Sequence, residues 1–367
     1  MIGPYNLSES IYWLKKYFSS PSKKNPLDLS FPNSSVKFQD IIPCFDIVFL
    51  GDLMKLSSHQ LKIGPQLLKW IDKADYLVAN LETPLVTQPL DTHLKQYNHP
   101  RVLETLAGIK KPSQIYLSLA NNHGNDFGTA GLQFTMDKIN QSGMNFFGTK
   151  ENPSVTLADK ILIYASTQWS NSSSPDLSMF NKDHLVSSTS FDLKFLFPHW
   201  GHEFELYPRP PQVALANSLL QSWDAIIGHH SHCPQPISII KEKRSGLESL
   251  NTNHITTPSK LVAYSLGNFA IAHKKDILNY GLTLKLSIGM IPPNSHSLHT
   301  PSPSFQPSEF MTSSKPSVTS PLVIGGFSWS FLQIEPQTSQ VVHVELCDEC
   351  PFFPEYSLPS KLFQVSL

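Results

Sequence analysis

The chain has 367 residues, and its 28 basic and 29 acidic side chains nearly cancel. That balance argues against the basic stripe of a nucleic-acid binder and the acidic block of a disordered tail. Hydrophobic residues make up 40% of the chain, enough for one large domain or two modest ones. Four scattered cysteines (Cys44, Cys233, Cys347, Cys350) do not amount to a disulfide scaffold.

At the N-terminus, Ile11-Tyr12-Trp13-Leu14 is followed at once by Lys15-Lys16. No apolar run approaches the ~20 residues of a membrane span, and no secretory signal is evident. The expectation is an amphipathic turn or two packed on a domain surface, and no transmembrane segment. Cytoplasmic location is the default, with membrane association or export left open. Residues 19–40, rich in Ser, Pro, Lys and Asn, read as a linker, so 1–40 forms an N-terminal helix and linker.

From Phe45 to Phe269, buried strands alternate with helical stretches at Gly64–Lys73, Val102–Gly108, Ala130–Ser142 and Gln212–Ser222. This alternation predicts an α/β core with parallel pairing. Five apolar runs end on metal-ligating residue types. Phe45–Leu50 leads to Asp52, Tyr76–Ala79 to Glu82, and Ile115–Ala120 to Asn121-Asn122-His123. Leu193–Phe197 leads to His199, and Ala225–Ile227 to His229-His230-Ser231-His232. Ligand sites in open α/β sheets lie beyond the carboxyl ends of the strands, so these side chains are predicted to converge on one crest. After Asn268 the strands Leu282–Ile288, Phe327–Glu335 and Gln340–Leu346 complete the sheet, the last two as a hairpin. The domain is expected to span 41–350, with a mobile Ser/Pro-rich excursion at 292–321 and a tail at 351–367. Cys347-Asp-Glu-Cys350 lacks the second pair of a zinc ribbon and reads as two unconnected thiols.

Each local motif has a plain structural alternative. Gly51-Asp52 is also an ordinary turn or helix cap, Glu82 could face water, and Asp126 could cap the helix that follows. His199 sits at a strand end, while His202 and Glu203 lie further on as supports or exposed groups. His230 and His232 are two apart, so an extended segment would point both imidazoles the same way. The combination is what favours a metal site. Polar groups gathered at one crest cost a few kcal/mol each if left unpaired, and divalent cations would pair them.

This order of motifs resembles the CapA-type poly-γ-glutamate capsule-synthesis family, itself similar to the calcineurin-like metallophosphoesterases. The matching stretches are Phe-Leu-Gly-Asp52, Ala-Asn-Leu-Glu82-Thr, Ser-Leu-Ala-Asn-Asn122-His123-Gly-Asn-Asp126-Phe-Gly and His199-Trp-Gly-His-Glu203, followed by Ile-Ile-Gly-His-His230-Ser-His232 and Tyr-Ser-Leu-Gly267-Asn268-Phe. The resemblance implies a four-layer α/β/β/α metallophosphatase-like sandwich. It also implies a two-metal centre (Mn, Fe or Zn) held by Asp52, Glu82, Asn122, His199, His230 and His232. His123 would be the acid/base or phosphate-orienting group, with Asp126 setting its tautomer. The implied activity is hydrolysis of a phosphoester or related bond. The alternative is a non-hydrolytic component that binds an anionic polymer such as poly-γ-glutamate within capsule-synthesis machinery. The chain departs from the pattern after Asp52, where Leu53-Met54 supplies no ligand and leaves that place to His59 or water.

Overall fold

A computed structural model of the protein describes residues 5–87, 96–172, 175–181, 190–241, 259–273, 275–293, 320–338 and 340–356. Most of the predicted excursion at 292–321 and of the tail at 351–367 lies outside the described residues.

In chain order the elements are α1 (Leu7–Phe18), β1 (Ser35–Lys37), β2 (Ile42–Leu53), β3 (Gln60–Ile63), α2 (Pro65–Asp72), β4 (Tyr76–Leu81), α3 (Arg101–Ile109), β5 (Ile115–Ser118) and α4 (Gly128–Gln141). They continue with β6 (Asn145–Phe147), β7 (Ser154–Leu157), β8 (Ile161–Thr167), β9 (Leu193–His199), α5 (Pro210–Leu219), β10 (Ala225–Ile227), β11 (Ile237–Lys241) and β12 (Ser259–Ala263). The last strands are β13 (Asn268–Ala270), β14 (Tyr280–Met290), β15 (Leu322–Thr338) and β16 (Val341–Cys347).

They form two sheets. The ten-stranded sheet runs β3-β16-β15-β14-β2-β4-β5-β6, with β1 added to β15 and β13 to the end of β2. Its β2-β4-β5-β6 half is parallel, and β14-β15-β16 is antiparallel. The six-stranded sheet runs β11-β12-β10-β9-β8-β7, with β8, β9, β10 and β12 parallel.

Side-chain alternation decides which face meets which layer. In the smaller sheet Ile161, Ile163, Phe195, Phe197, Ala225, Ile227, Leu261 and Ala263 join the core shared with the larger sheet. The alternate residues Leu162, Leu196, Ile226 and Val262 pack instead with Ala216 and Leu219 of α5. In the larger sheet Phe49 meets Phe195 and Phe197 with ring centroids 6.3 and 6.1 Å apart. Its neighbour Val48 is paired with Lys285, over which the Trp70 ring of α2 sits. The crossovers through α2, α3 and α4 all step the same way along the sheet and so fall on that helical face. The result is an α/β/β/α sandwich.

Helix starts follow the sequence. Pro65 and Pro210 occupy first-turn positions, where a missing N–H costs nothing. The free N–H groups of Gln66 and Leu67 donate to the Glu345 carboxylate of β16. Asn6 caps α1 by accepting from the Glu9 N–H. That helix has 12 residues, longer than the turn or two predicted. Its Lys16 is buried against Glu205, which Arg209 also binds.

Deleting the Phe49 ring between the sheets should cost about 3–5 kcal/mol. A denaturant midpoint shifted down with an unchanged slope would show it.

Candidate metal centre

The carboxyl ends of the parallel strands in both sheets open on one rim. Asp52 ends β2, Glu82 follows β4, Asn122 follows β5, His199 ends β9, and His230 and His232 follow β10. All six are buried, and the structure brings all six together. His199 Nε2 lies 2.8 Å from Asn122 Oδ1, 3.0 Å from His230 Nδ1 and 3.5 Å from Glu82 Oε1. His232 places Nε2 3.6 Å from Glu82 Oε1 and Nδ1 3.6 Å from Asp52 Oδ2. Asp52/Glu82/His232 and Glu82/His199/His230 each gather one ligand atom per residue within 4.8 Å of one another. Glu82 is common to both sets, and neither of its buried oxygens has a hydrogen-bond partner.

The histidine run is not the extended segment that the two-residue spacing suggests. His230 and His232 have φ of 93° and 55°, a left-handed conformation that costs a non-glycine residue of order 1–3 kcal/mol. The strained turn, rather than strand alternation, aims both rings at the rim. His229 turns away to pack on Phe197, with centroids 4.1 Å apart. Gly51 is likewise not a turn beside a ligand. It lies within β2, and a Cβ there would come 2.0 Å from the Gly267 carbonyl oxygen.

Two asparagines that the sequence reading left without a role hold the frame. Asn80 donates to Asp52 Oδ1 at 2.8 Å and accepts from Asn121 at 3.1 Å. Asn268 places Oδ1 3.1 Å from His232 Nδ1 and donates to the Leu278 carbonyl. The signal for them was present, as Asn80 and Asn268 both sit in stretches quoted for the resemblance.

Burial pushes His199 down to about 3 and His229 down to about 4, and it holds His230 well below the usual imidazole range. These rings are therefore neutral, the form that binds metal. Burial and the Asp52 charge push Glu82 up to about 8. Against the effect of burial, the charges of Glu82 and Glu203 and a hydrogen bond to Asp52 raise His232 to about 10. Asp52 stays well below the carboxylate range despite its burial, because of the hydrogen bond and the charge of His232. The rim thus keeps a proton among its carboxylates, at the place a cation would take.

His123 and Asp126 lie beside this cluster, on the wall of a cavity of about 930 Å³ that His232 and Glu203 also line. His123 Nδ1 is 2.6 Å from Asp126 Oδ2, and Asn171 donates to Asp126 Oδ1 at 2.9 Å. Asp126 does not cap α4, whose N-cap residue is Phe127 with no side-chain hydrogen bond. His59 belongs elsewhere, its Nδ1 being 2.8 Å from the Leu56 carbonyl oxygen. His202 stacks on Tyr5. Glu203 is buried and forms a third set with His230 and His232 within the same 4.8 Å limit.

The sequence profile of the family described as "Bacterial capsule synthesis protein PGA_cap" matches residues 46–168 and 164–273, well over half of the chain. The chain belongs to this family. Every rim residue lies inside the match. The capsule biosynthesis protein CapA of Bacillus anthracis is 25% identical over 228 residues, 54% of this chain and 51% of its own length. The PGA biosynthesis protein CapA of Bacillus subtilis (strain 168) is 22% identical over 254 residues, 60% of this chain and 62% of its own. The chain thus spans about half to three-fifths of the length of these curated relatives. A crystal structure of a hypothetical protein from Thermus thermophilus overlaps 66% of this chain and 92% of its own at 13% identity, with a TM-score of 0.38. That likeness is too loose to bear on function. Among the described residues no helix is long and apolar enough to cross a membrane.

Holding the buried, unpartnered Glu82 protonated above its ordinary pKa costs the protein stability wherever no cation is bound. Glu82→Gln should therefore stabilise chelator-treated protein by about 1–3 kcal/mol and abolish the stabilisation that Mn(II) gives the wild type. Denaturant midpoints with and without Mn(II) measure both.

Proposed function

We propose that this rim binds two divalent cations that share Glu82, and that the protein hydrolyses a phosphoester or related bond in capsule synthesis. The observation that carries this reading is the pair of unpartnered Glu82 oxygens, with imidazole nitrogens and a second carboxylate drawn up around them. The donor set fits Mn, Fe or Zn, since it mixes carboxylate, amide oxygen and neutral imidazole. Asp52, Glu82 and His232 would hold one ion, and Glu82, Asn122, His199 and His230 the other. Such ions, when bound, supply Lewis-acid activation of water and of the oxygens of the reacting group.

The remaining residues act on the proton and the substrate. Asp126 occupies Nδ1 of His123, which leaves Nε2 to protonate the leaving oxygen. Asn171 holds Asp126 in place. Membership of the capsule synthesis family favours a second reading, in which the cavity binds an anionic polymer such as poly-γ-glutamate without cleaving it, as a component of the synthesis machinery.

Protein purified without added metal should carry roughly stoichiometric Mn, Fe or Zn by elemental analysis, and lose it in Asp52→Ala or His230→Ala. On an aryl phosphodiester with Mn(II), His123→Ala should lower turnover by about 10²–10⁴-fold while metal remains bound. Metal without turnover on a broad ester panel would favour polymer binding over hydrolysis, and no metal at all would overturn both readings.

A further inference from the structure

We infer that the N-terminal helix is a working part of the metal centre: Trp13 of α1 holds Glu203, and Glu203 orients His230. This rests on the metal-binding reading above, gives Glu203 of the His199-Trp-Gly-His-Glu203 stretch a definite role, and adds Trp13, which lies outside the motifs. Trp13 Nε1 donates to Glu203 Oε2 at 2.5 Å, while Lys16 donates to the Glu203 carbonyl at 2.6 Å. The other carboxylate oxygen, Oε1, faces His230 Nε2 at 4.0 Å. That nitrogen is buried and has no hydrogen-bond partner. The opposite ring nitrogen, Nδ1, is the one turned to His199 Nε2, inside the Glu82 cluster.

The two ends of the imidazole therefore face two different tasks. Ligation at Nδ1 fixes the proton on Nε2, and a carboxylate that receives this proton sets the ring orientation and strengthens the ligand. Glu203 is the carboxylate in position to do so, and the present gap exceeds a hydrogen bond by about 1 Å. Which oxygen Glu203 offers is set from α1, because Trp13 occupies Oε2. The Trp13 ring is held by stacking on Tyr17, with centroids 5.1 Å apart, and by contact with Phe204. Phe204 itself has a φ of 59°, and its N–H donates to the Ser231 carbonyl in the histidine turn. Lys16 and Arg209 anchor the assembly through Glu205.

The test measures Mn(II) affinity of the full chain by electron paramagnetic resonance of free Mn(II), for wild type, Trp13→Phe, Glu203→Gln and the double variant. Trp13→Phe keeps an aromatic ring against Tyr17 and removes the N–H donor together with part of the indole. Loss of a carboxylate behind a ligating histidine weakens metal binding by about 10–100-fold, the loss expected for Glu203→Gln. Trp13→Phe should lose about tenfold, and the double variant should bind no more weakly than Glu203→Gln alone. A Trp13→Phe affinity within about twofold of wild type, or losses that multiply in the double variant, would overturn the coupling. Should Trp13→Phe fail to fold, Glu203→Gln alone decides, and wild-type affinity there overturns the proposal. A wild type that binds no Mn(II) would overturn the metal reading itself.

Discussion

A fully buried carboxylate without a hydrogen-bond partner is the constraint around which this molecule is arranged. Glu82 has both oxygens unsatisfied, with Asp52, His199 and His232 within a few ångströms. Burying one such group costs several kcal/mol, and a carboxylate close by adds repulsion. Without a cation the rim answers by keeping a proton among Glu82, Asp52 and His232, and by holding His199 and His230 neutral. A cation placed among these groups would relieve that burden.

The sandwich explains how residues as distant in sequence as Asp52 and Asn268 meet. Parallel pairing aligns the carboxyl ends of β2, β4 and β5, and β13 adds to the end of β2 so that Asn268 lies beside Asp52. The second sheet supplies the histidines from β9 and β10. Aromatic contacts between the inner faces, Phe49 with Phe195 and Phe197, fix the two rims against each other. Close backbone approaches at Gly51 and left-handed turns at His230 and His232 are local costs that the rim geometry requires.

Much of this was legible from residues alone, for a physical reason. Strands buried on both faces are continuous apolar runs, so a polar residue at their ends stands out. Asp52, Glu82, Asn122 and His199 stand out that way, and they meet at one rim. What escaped lacked that contrast. Ile161–Thr167 is as apolar as its neighbours but ends on Ser166 and Thr167, which are not metal-ligand types. The spacing of His230 and His232 suggested the right convergence through the wrong backbone, since alternation cannot reveal a positive φ. Glu203 reads from sequence as a support or an exposed group, and its bond to Trp13 spans 190 residues, which no local pattern contains. Asp126 shows the converse, because a helix cap and a histidine partner look alike until the tertiary fold chooses between them.

Membership of the capsule synthesis family sets the biological frame, and the rim supplies the chemistry to be examined within it. The proposed centre is two cations sharing one carboxylate, Glu82. Electron paramagnetic resonance of the protein loaded with two equivalents of Mn(II) tests this most directly. A spin-coupled dinuclear signal that is lost in Glu82→Ala is the predicted result. Uncoupled Mn(II), or a coupled signal indifferent to Glu82, would contradict it.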